Sequence, residues 1–525
     1  MKMSERVEEL RKRKEKHLEM GGPERVARQH QRGKMTARER IAALFDPGSF
    51  HERGLLAGDR GQTTHEMKSP APADGCITGT GLVGGRPVAC AAYDFTVFGG
   101  SIGEVGERKV TRLRDVALKN RMPFVWLVDS AGARINGDLV GDTARMSTAV
   151  SMFADTGYLF REEVIMSGVV PLVAAMMGPG AAGTAYIPGL ADFVPMVKGS
   201  SMAIGGPYLV QSVVGEKISE EDLGGSRIHT EISGCADLEV PNDAECIEVI
   251  KQYLSYFPSH CREKPPRIAP VPPVEGAAEK LTKVLPETSR QAYDMHKVLQ
   301  AVVDGGKLLE IKPRWGRNII TALGRIDGWS VGMVANNPMH LGGVLDVDAS
   351  DKAARFINLC DAYNIPVVFF SDVPGFMVGS KVEQQGIIRH GAKFLYAVAS
   401  ATVPKFTVVV RKDYGAGYYV MCGRAYEPDL LVGWPTAEIA VMGAEGMVSI
   451  AMHKMLEGAE NKTEMIKQLA ENVRPAIDAY RVAALGMVDD IIEPAQTRDV
   501  LAHALAVTRD KVVERPFRRR EVSPV

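Results

Sequence analysis

The sequence predicts an α/β protein made of two similar β/α domains in tandem. Three observations lead to this prediction: a repeat at constant spacing, continuous apolar strands that follow helices, and a proline-rich stretch between the two copies. A chain of 525 residues has room for three or four ordinary domains or for two large ones, and the repeat favours two.

Charge and composition exclude several classes of protein. The 63 Lys and Arg residues nearly balance the 64 Asp and Glu residues, which argues against a general nucleic-acid binder. The densest apolar run, residues 169–177, contains Pro171 and is far shorter than the ~20 residues of a membrane span. The 53 glycines do not form a low-complexity tract, so we expect them to mark specific turns.

The amino-terminal region indicates an intracellular protein. Residues 1–20 are rich in Glu and Lys without an apolar core, which fits neither a secretory signal nor a transit peptide. The seven cysteines are scattered and never in C-x-x-C spacing, so we expect no disulfide framework, no metal site and a cytoplasmic location. Thr36 and Glu39 have the spacing of a capping box, which predicts a helix that ends before Asp46-Pro47-Gly48.

The first repeated element is a β-hairpin. Residues 75–95 form two apolar runs around Gly84-Gly85, and residues 318–338 form two around Asp327-Gly328. Gly85 and Gly328 lie 243 residues apart. The same spacing joins Gly99-Gly100 with Gly342-Gly343, Lys109 with Lys352, Arg112 with Arg355, Pro123 with Pro366, Asp129 with Asp372 and Gly132 with Gly375. So many matches without a gap indicate an internal duplication.

Each copy then continues with a helix and two apolar strands. The strand segments PFVWLVDSAG and PVVFFSDVPG are apolar throughout, which is typical of a buried parallel sheet. From Val170 and Val403 onward the spacing is 233, because the first copy has ten more residues in its middle loop. The second apolar strand of each copy leads into a turn of small residues, at 180–183 and 415–417.

The domain limits follow from the proline-rich stretch at 258–275, which is typical of a linker. We predict an amino-terminal domain at 1–265, a linker at 258–279 and a carboxyl-terminal domain at 280–525.

Two motifs suggest other functions. Residues 79–84 match G-x-G-x-x-G, but a turn and a strand follow where a dinucleotide site needs a helix, so we interpret the glycines as hairpin punctuation. Ser101 lies in a G-x-S-x-G sequence, with Asp129 and His229 formally available for a triad, so a serine hydrolase is an alternative. The second copy has Val344 in place of Ser101, and close backbone packing explains the glycines equally well.

The two small-residue turns suggest a different chemistry. A turn of Gly and Ala before a helix exposes backbone N–H groups where the helix dipole favours negative charge. Such groups form an oxyanion hole that stabilises an enolate. One turn alone is explained by a close strand–helix crossing, whereas two matching turns favour a paired catalytic device.

At this point the chain resembles the carboxyltransferase subunits of biotin-dependent acyl-CoA carboxylases, of the propionyl-CoA and methylcrotonyl-CoA type, over nearly its whole length. The segments that resemble the family are GKMTARERIAALFDPGSF (33–50), DFTVFGGSIGE (94–104), VDSAGARI (128–135), MGPGAAGTAYIP (177–188), EEDLGGSRIHTEISGCAD (220–237), SDVPGFMVGSKVEQQGIIRHGAK (371–393), YGAGYYVMCGRAY (414–426) and WPTAEIAVMGAEG (434–446). The resemblance implies two crotonase-like β-β-α spiral domains and a hexamer of two stacked trimers.

The resemblance also implies site residues. It places an oxyanion hole for the thioester enolate at Ala182 and Gly183, and one for the biotin oxygen at Ala416 and Gly417. It implies further substrate-binding or cofactor-binding positions at Gly99, Gly100, Gly132, Tyr186, Gly375, Phe376 and Tyr419. The family more often has Gly at the positions of Ala182 and Ala416.

The partners follow from what the sequence does not contain. It has no domain that bears biotin and no ATP-binding carboxylase segment, so we expect a partner subunit that carries biotin and loads it with a carboxyl group. The expected substrate is a coenzyme A thioester. Two questions stay open: whether the acyl group is acetyl, propionyl or methylcrotonyl, and whether the enzyme is a carboxylase or the decarboxylase of a biotin-linked sodium pump.

Overall fold

The computed structural model describes residues 2–58, 71–134, 158–288, 291–457, 461–519 and 521–524. The chain divides into two compact units, Met1–Glu263 and Lys264–Val525. The limits predicted above for the domains and the linker stay predictions.

Unit 1 contains an eight-stranded mixed sheet and nine described helices. Its strands are β1 (His51–Arg53), β2 (Cys76–Val83), β3 (Arg86–Tyr93), β4 (Phe124–Ser130), β5 (Leu172–Ala181), β6 (Pro195–Val197), β7 (Ser201–Ala203) and β8 (Leu238–Val240). Its α-helices are α1 (Met3–Leu18), α2 (Pro23–Gln31), α3 (Ala37–Leu44), α4 (Glu104–Lys119), α5 (Tyr158–Met166), α6 (Gly183–Leu190), α7 (Pro207–Val214), α8 (Glu220–Gly224) and α9 (Asp243–Tyr256). The strand order is β1-β2-β3-β4-β5-β6-β8, and β7 pairs with the end of β5.

Unit 2 repeats this architecture. Its strands are β9 (Leu309–Ile311), β10 (Ile319–Ile326), β11 (Trp329–Asn336), β12 (Val367–Val373), β13 (Lys405–Tyr414), β14 (Leu430–Gly433), β15 (Glu438–Ala440) and β16 (Asp490–Ile491). Its α-helices are α10 (Ala277–Lys283), α11 (Met295–Val302), α12 (Val347–Ala362), α13 (Ser380–Gln384), α14 (Ile387–Ser400), α15 (Ala416–Val420), α16 (Ala444–Ala451), α17 (His453–Leu456), α18 (Lys462–Val473), α19 (Ala479–Ala484) and α20 (Thr497–Thr508). The strand order is β9-β10-β11-β12-β13-β14-β16, and β15 pairs with the end of β13.

The predicted elements are confirmed in both copies. β2 and β3 pair antiparallel across Gly84-Gly85, and β10 and β11 pair antiparallel across Asp327-Gly328. The apolar strands β4 and β12 then pair parallel with their neighbours and are buried on both faces. The capping box at Thr36 starts α3 as predicted. The fold is therefore a duplicated mixed α/β fold, as the internal repeat predicts.

Matching hydrogen bonds hold the two hairpins. The carboxylate of Asp46 accepts from the N–H groups of Gly84 and Gly85 at 3.0 and 2.8 Å. The carboxylate of Asp304 accepts from the corresponding groups of Asp327 and Gly328 at the same two distances. An aspartate outside each hairpin thus satisfies the donors of its turn.

The paired lysines also have matching roles. Lys109 on α4 donates from Nζ to the carbonyls of Ala73 and Cys76, at 2.9 and 2.7 Å. Lys352 on α12 donates to Gly316 and Ile319, at 3.4 and 2.8 Å, and to Trp315. Burial lowers the pKa of Lys352 to about 7, and it lowers the pKa of Lys109 as well. These lysines therefore support the backbone before each hairpin.

Each unit has its own apolar core under the parallel strands. In unit 1, Trp126, Ala174 and Met176 belong to one buried cluster. In unit 2, Phe370, Val408 and Trp434 belong to another. No helix in the described parts of the chain is both long enough and apolar enough to cross a membrane.

Candidate functional site

The small-residue turn of unit 1 connects β5 to α6. Ala182 occupies the turn with φ 51° and ψ −117°, a region that residues with a Cβ rarely adopt, and α6 begins at Gly183. The N–H of Ala182 donates to the carbonyl of Ala203 on β7, at 3.1 Å. This bond continues the pairing of β5 with β7, so the Ala182 N–H is already used inside the protein.

The turn of unit 2 has the same construction. Gly415 follows β13 with φ 58° and ψ −136°, its N–H donates to the carbonyl of Ala440 on β15 at 2.9 Å, and α15 begins at Ala416. Gly415 therefore occupies the place of Ala182, and Ala416 that of Gly183. The predicted pairs Ala182-Gly183 and Ala416-Gly417 are therefore not equivalent. The first pair begins at the turn residue, whereas the second begins one residue after it.

The first helical N–H of each turn is the donor available to a ligand. Gly183 and Ala416 are the first residues of their helices, where N–H groups have no intrahelical acceptor. Among the described residues neither N–H makes a backbone hydrogen bond outside its helix. Gly183 is half-buried and Ala416 is exposed, so both positions are accessible to a ligand. Gly183 and Ala416 lie 233 residues apart, which is the spacing of the second repeated strand. The same spacing, applied to the turn, therefore identifies these two residues as equivalent from the sequence.

The predicted tyrosines lie beside these donors. Tyr186 on α6 and Tyr419 on α15 are equivalent, and their exposed fractions are 50% and 47%. The ring of Tyr186 meets Phe160 edge-on at 5.6 Å, and the ring of Tyr419 lies 6.0 Å from that of Tyr426. Each turn is thus bordered by aromatic rings that are half-exposed.

The predicted glycines lie behind the turns, where the backbone approaches itself closely. A Cβ on Gly100 would lie 2.2 Å from the carbonyl oxygen of Asp129, and one on Gly343 would lie 2.8 Å from that of Asp372. Gly99 precedes Gly100 with φ 62°. These contacts require glycine and support the packing interpretation of the sequence around Ser101.

Gly132 and Gly375 are equivalent as predicted. The carbonyl of Gly132 accepts from the N–H of Ile102 at 2.8 Å, and that of Gly375 accepts from Leu345 at 3.0 Å. The next residue after Gly375, Phe376, forms a parallel bridge with Leu345. These three residues hold the loop after the strand through backbone contacts, and their predicted binding roles stay predictions.

The side chains named for a hydrolase do not form a triad. Ser101 Oγ accepts from Arg134 Nε at 3.1 Å. The His229 ring contacts the Ser233 hydroxyl and the Met202 carbonyl, at 2.9 and 2.8 Å. Asp129 is bound by cations, and in the described parts of the chain no hydrogen bond joins it to His229 or Ser101. The geometry therefore opposes acyl transfer through a serine.

Asp129 and Asp372 are fully buried and bound by cations. Asp129 Oδ2 contacts Lys34 Nζ at 2.6 Å and an Arg40 nitrogen at 2.9 Å. Asp372 Oδ2 contacts Arg411 at 2.9 Å. The described residues contain no group of three or more His, Cys, Asp and Glu side chains placed to hold a metal ion. These aspartates are structural supports of the strand ends.

Sequence reasoning missed Asp413, which lies two residues before Gly415. Its side chain is fully buried, and neither carboxylate oxygen has a hydrogen-bond partner in the parts of the chain that the structure describes. Burial, together with the nearby charge of Asp372, raises its pKa to about 8. Its place near the end of β13, directly before the turn of small residues, was the available signal.

The two sheets, with a helix starting at each strand-end turn, define a protein of the duplicated crotonase-like class. The carboxyl transferase domain family matches residues 28–523, and the chain belongs to this family. The propionyl-CoA carboxylase carboxyltransferase subunit of Haloferax mediterranei is 42% identical over 99% of both chains. Methylmalonyl-CoA decarboxylase subunit alpha of Veillonella parvula is also 42% identical, over 97% of both.

A solved structure has the same architecture over the whole chain. It is transcarboxylase 12S, described as a hexamer assembly with methylmalonyl-coenzyme A and methylmalonic acid bound. It is 40% identical to this chain, covers 100% of both chains and has a TM-score of 0.92.

Proposed function

We propose that this chain is the carboxyltransferase subunit of a biotin-dependent acyl-CoA carboxylase. It moves a carboxyl group from carboxybiotin to the α-carbon, or the vinylogous γ-carbon, of a short acyl-CoA. The observation on which the proposal depends is the pair of equivalent turns, each with an accessible N–H at the start of a helix. The relationship to the Haloferax carboxyltransferase subunit supports it.

The residues fit a reaction in which negative charge develops on oxygen twice. The N–H of Gly183 stabilises the enolate oxygen of the thioester, and the N–H of Ala416 stabilises the ureido oxygen of biotin. Both donors lie at helix amino termini, where the dipole adds to the stabilisation. Biotin, carried by a partner protein, would supply the carboxyl group, and its freed ring nitrogen would take the proton that the acyl carbon loses. Ala182, which was predicted together with Gly183, is left out as a donor because its own N–H is bonded to Ala203. Gly417 follows Ala416 as a second donor.

The experiment combines partner capture with a transfer assay. The purified chain is used to capture native biotinylated protein, and the complex is tested for fixation of labelled bicarbonate on acetyl-CoA, propionyl-CoA and methylcrotonyl-CoA. We expect one biotinylated partner and label on a subset of the panel. A chain that captures no such partner and fixes no label contradicts the proposal.

Backbone variants then test the donors. Gly183→Pro and Ala416→Pro each remove one N–H at the first position of a helix, where proline is tolerated. We expect each to lower the transfer rate about 10²- to 10³-fold. Ala416→Gly keeps the N–H and retains activity, and Glu220→Pro, at the exposed first position of α8, leaves the rate unchanged. A proline variant that folds and transfers at the normal rate removes its residue from the site.

A second candidate is the subunit of a biotin-dependent acyl-CoA decarboxylase. It is favoured by the Veillonella relative, which has the same 42% identity as the carboxylase relative. The same fold and donors serve either direction, so the captured partner distinguishes them. An ATP-dependent biotin carboxylase supports the first candidate, whereas a membrane decarboxylase complex supports the second.

The assembly we propose is a hexamer, as stated for transcarboxylase 12S. Light scattering of the purified chain then gives a mass of six times 56.9 kDa. A stable monomer contradicts this assembly without affecting the proposed reaction.

A further inference from the structure

The turn of unit 1 depends on β7, a strand of only three residues. β7 pairs parallel with the last residues of β5. The carbonyl of its final residue, Ala203, accepts the N–H of Ala182 at 3.1 Å. Gly183 follows Ala182 directly, so the direction of the Gly183 N–H depends on where β7 lies.

The other edge of β7 is held by residues at and after the end of α8. Ser201 forms an antiparallel bridge with Gly225. The carbonyl of Met202 accepts from His229 Nε2 at 2.8 Å. A Cβ on Gly224 would lie 2.1 Å from the Met202 oxygen, so this close approach requires glycine. The strand therefore lies between the turn on one side and His229 on the other.

The contacts of the His229 ring determine which nitrogen is the donor. A carbonyl oxygen only accepts hydrogen bonds, so Nε2 carries the proton in the contact with Met202. Nδ1 contacts the hydroxyl of Ser233 at 2.9 Å. His229 lies in a π-helical turn, Ile228–Ile232, which is a rare conformation that is frequent at functional sites. Protonation of Nδ1 leaves the Nε2 proton in place, so the contact with Met202 does not depend on the charge of the ring.

Unit 2 holds the equivalent strand in another way. In β15, Ile439 takes the place of Met202. The N–H of Ile439 donates to the carbonyl of Ile477 at 3.1 Å. A backbone hydrogen bond thus holds β15 where an imidazole holds β7, so unit 1 is the copy whose turn depends on a side chain.

We propose that His229 is a positioning residue for the carboxyl transfer. It holds the Met202 carbonyl and thereby β7, and β7 holds the Ala182 N–H, which sets the direction of the Gly183 N–H towards the substrate oxygen. This inference rests on the proposed function of Gly183. Negative charge develops on that oxygen in the transition state, so a displaced donor lowers kcat more than it raises KM.

The test compares two substitutions of His229 in the complex with the captured biotinylated partner. His229→Met removes the donor and should lower kcat about 10- to 100-fold, with a KM for the acyl-CoA within about twofold of the wild type. His229→Gln keeps an N–H donor and should retain most of the activity with an unchanged pH profile. A normal kcat in His229→Met, or a shifted pH profile in His229→Gln, overturns the proposal.

Hydrogen exchange separates this inference from the proposed reaction. The Ala182 N–H is bonded inside the protein, and in His229→Met it should exchange at least about tenfold faster, whereas His229→Gln should retain its protection. Mass spectrometry of the peptide that contains residues 178–187 measures the exchange. Unchanged exchange in His229→Met overturns the inference, whatever the activity. Absence of transfer by the wild type contradicts the proposed function, while the exchange still decides whether His229 positions the turn.

His260→Met is the matched control for a general loss of stability. His260 is 8% exposed, follows α9 and contacts Glu263 at 3.1 Å. We expect this variant to have the kcat of the wild type and the same exchange at residues 178–187. If His260→Met lowers kcat as much as His229→Met does, lost stability explains the effect and the proposal is wrong.

Discussion

The buried aspartates at the ends of β4 and β12 are equivalent, but their cations come from different parts of the chain. Asp372 is bound by Arg411, which belongs to the neighbouring strand of the same sheet. The place of Arg411 is taken in unit 1 by Gly178, where a Cβ would lie 1.9 Å from Asp129 Oδ1. Lys34 and Arg40, from the segment around α3, fill that space and bind Asp129 instead.

A second difference between the two units lies on the strand before each turn. Gly180 in unit 1 leaves room for the end of Met176, since a Cβ at Gly180 would lie 2.5 Å from Met176 Cε. In unit 2 the equivalent residues are Asp413 and Val409, so a carboxyl group takes the place of a thioether end. Burial in this space, together with the nearby charge of Asp372, raises the pKa of Asp413 to about 8.

A third exchange lies between the strand and the helix that follows the turn. In unit 1 the strand residue is Ser130 and the helix residue is Thr184. In unit 2 the equivalent residues are Val373 and Gly417. A Cβ on Gly417 would lie 2.8 Å from a Val373 methyl. The two copies therefore fill corresponding spaces with different residues, as close packing requires.

The largest expected effect concerns the buried cations. Arg411→Met leaves Asp372 without a cation and should lower the free energy of unfolding by about 3–5 kcal/mol. Lys34→Met should cost less, because Arg40 still binds Asp129 at 2.9 Å. Chemical denaturation of both variants measures the difference. Equal losses would show that Arg40 does not compensate for Lys34 in unit 1.

The difference in side-chain size between Val373–Gly417 and Ser130–Thr184 predicts that one substitution compensates for another. Gly417→Thr alone should lower the free energy of unfolding by up to about 3 kcal/mol, because its side chain overlaps Val373. Adding Val373→Ser recreates the combination of unit 1 and should restore most of the loss. The measurement is a double-mutant cycle by denaturant unfolding. A double variant as unstable as the sum of its parts would contradict complementary packing.

Asp413 predicts a dependence of stability on pH. Its pKa is about 8 in the folded protein and 3.8 as the reference for the unfolded chain, so folding favours the protonated form. Its stabilising contribution is complete below about pH 4 and is lost as the pH rises towards 8. Asp413→Asn should remove this loss and be more stable at pH 8, by at most about 5 kcal/mol. Unfolding curves from pH 5 to 8 that are parallel for variant and wild type would exclude this assignment.

The smallest effect concerns the turn residues themselves. Ala182→Gly should stabilise the protein by about 1 kcal/mol, because Ala182 has a positive φ of 51°. Gly415→Ala should destabilise it, since the new Cβ would lie 2.9 Å from the carbonyl oxygen of Val441. Thermal unfolding of both variants checks the opposite signs. A stabilising Gly415→Ala would show that the two turns differ more than their backbone angles indicate.

Much of the fold was predictable because the duplication is visible in the sequence. Paired glycines located both hairpins, and runs of apolar residues located β4 and β12. Both turns lie at helix starts as predicted, but the Ala182 N–H is bonded to Ala203. That bond joins residues 21 positions apart, and no local pattern indicates it. The roles predicted for the turn residues stay predictions.

The sequence by itself determined the two units, their hairpins, the apolar strands and the turns of small residues, because these depend on local periodicity and on backbone angles that glycine permits. Only the tertiary structure decided which N–H groups remain available, which cations bind Asp129, and that Asp413 is buried without a partner. These properties depend on distances between segments far apart in the chain. Because side chains of such segments pack closely, a residue that differs between the two units is explained only by its neighbours in space.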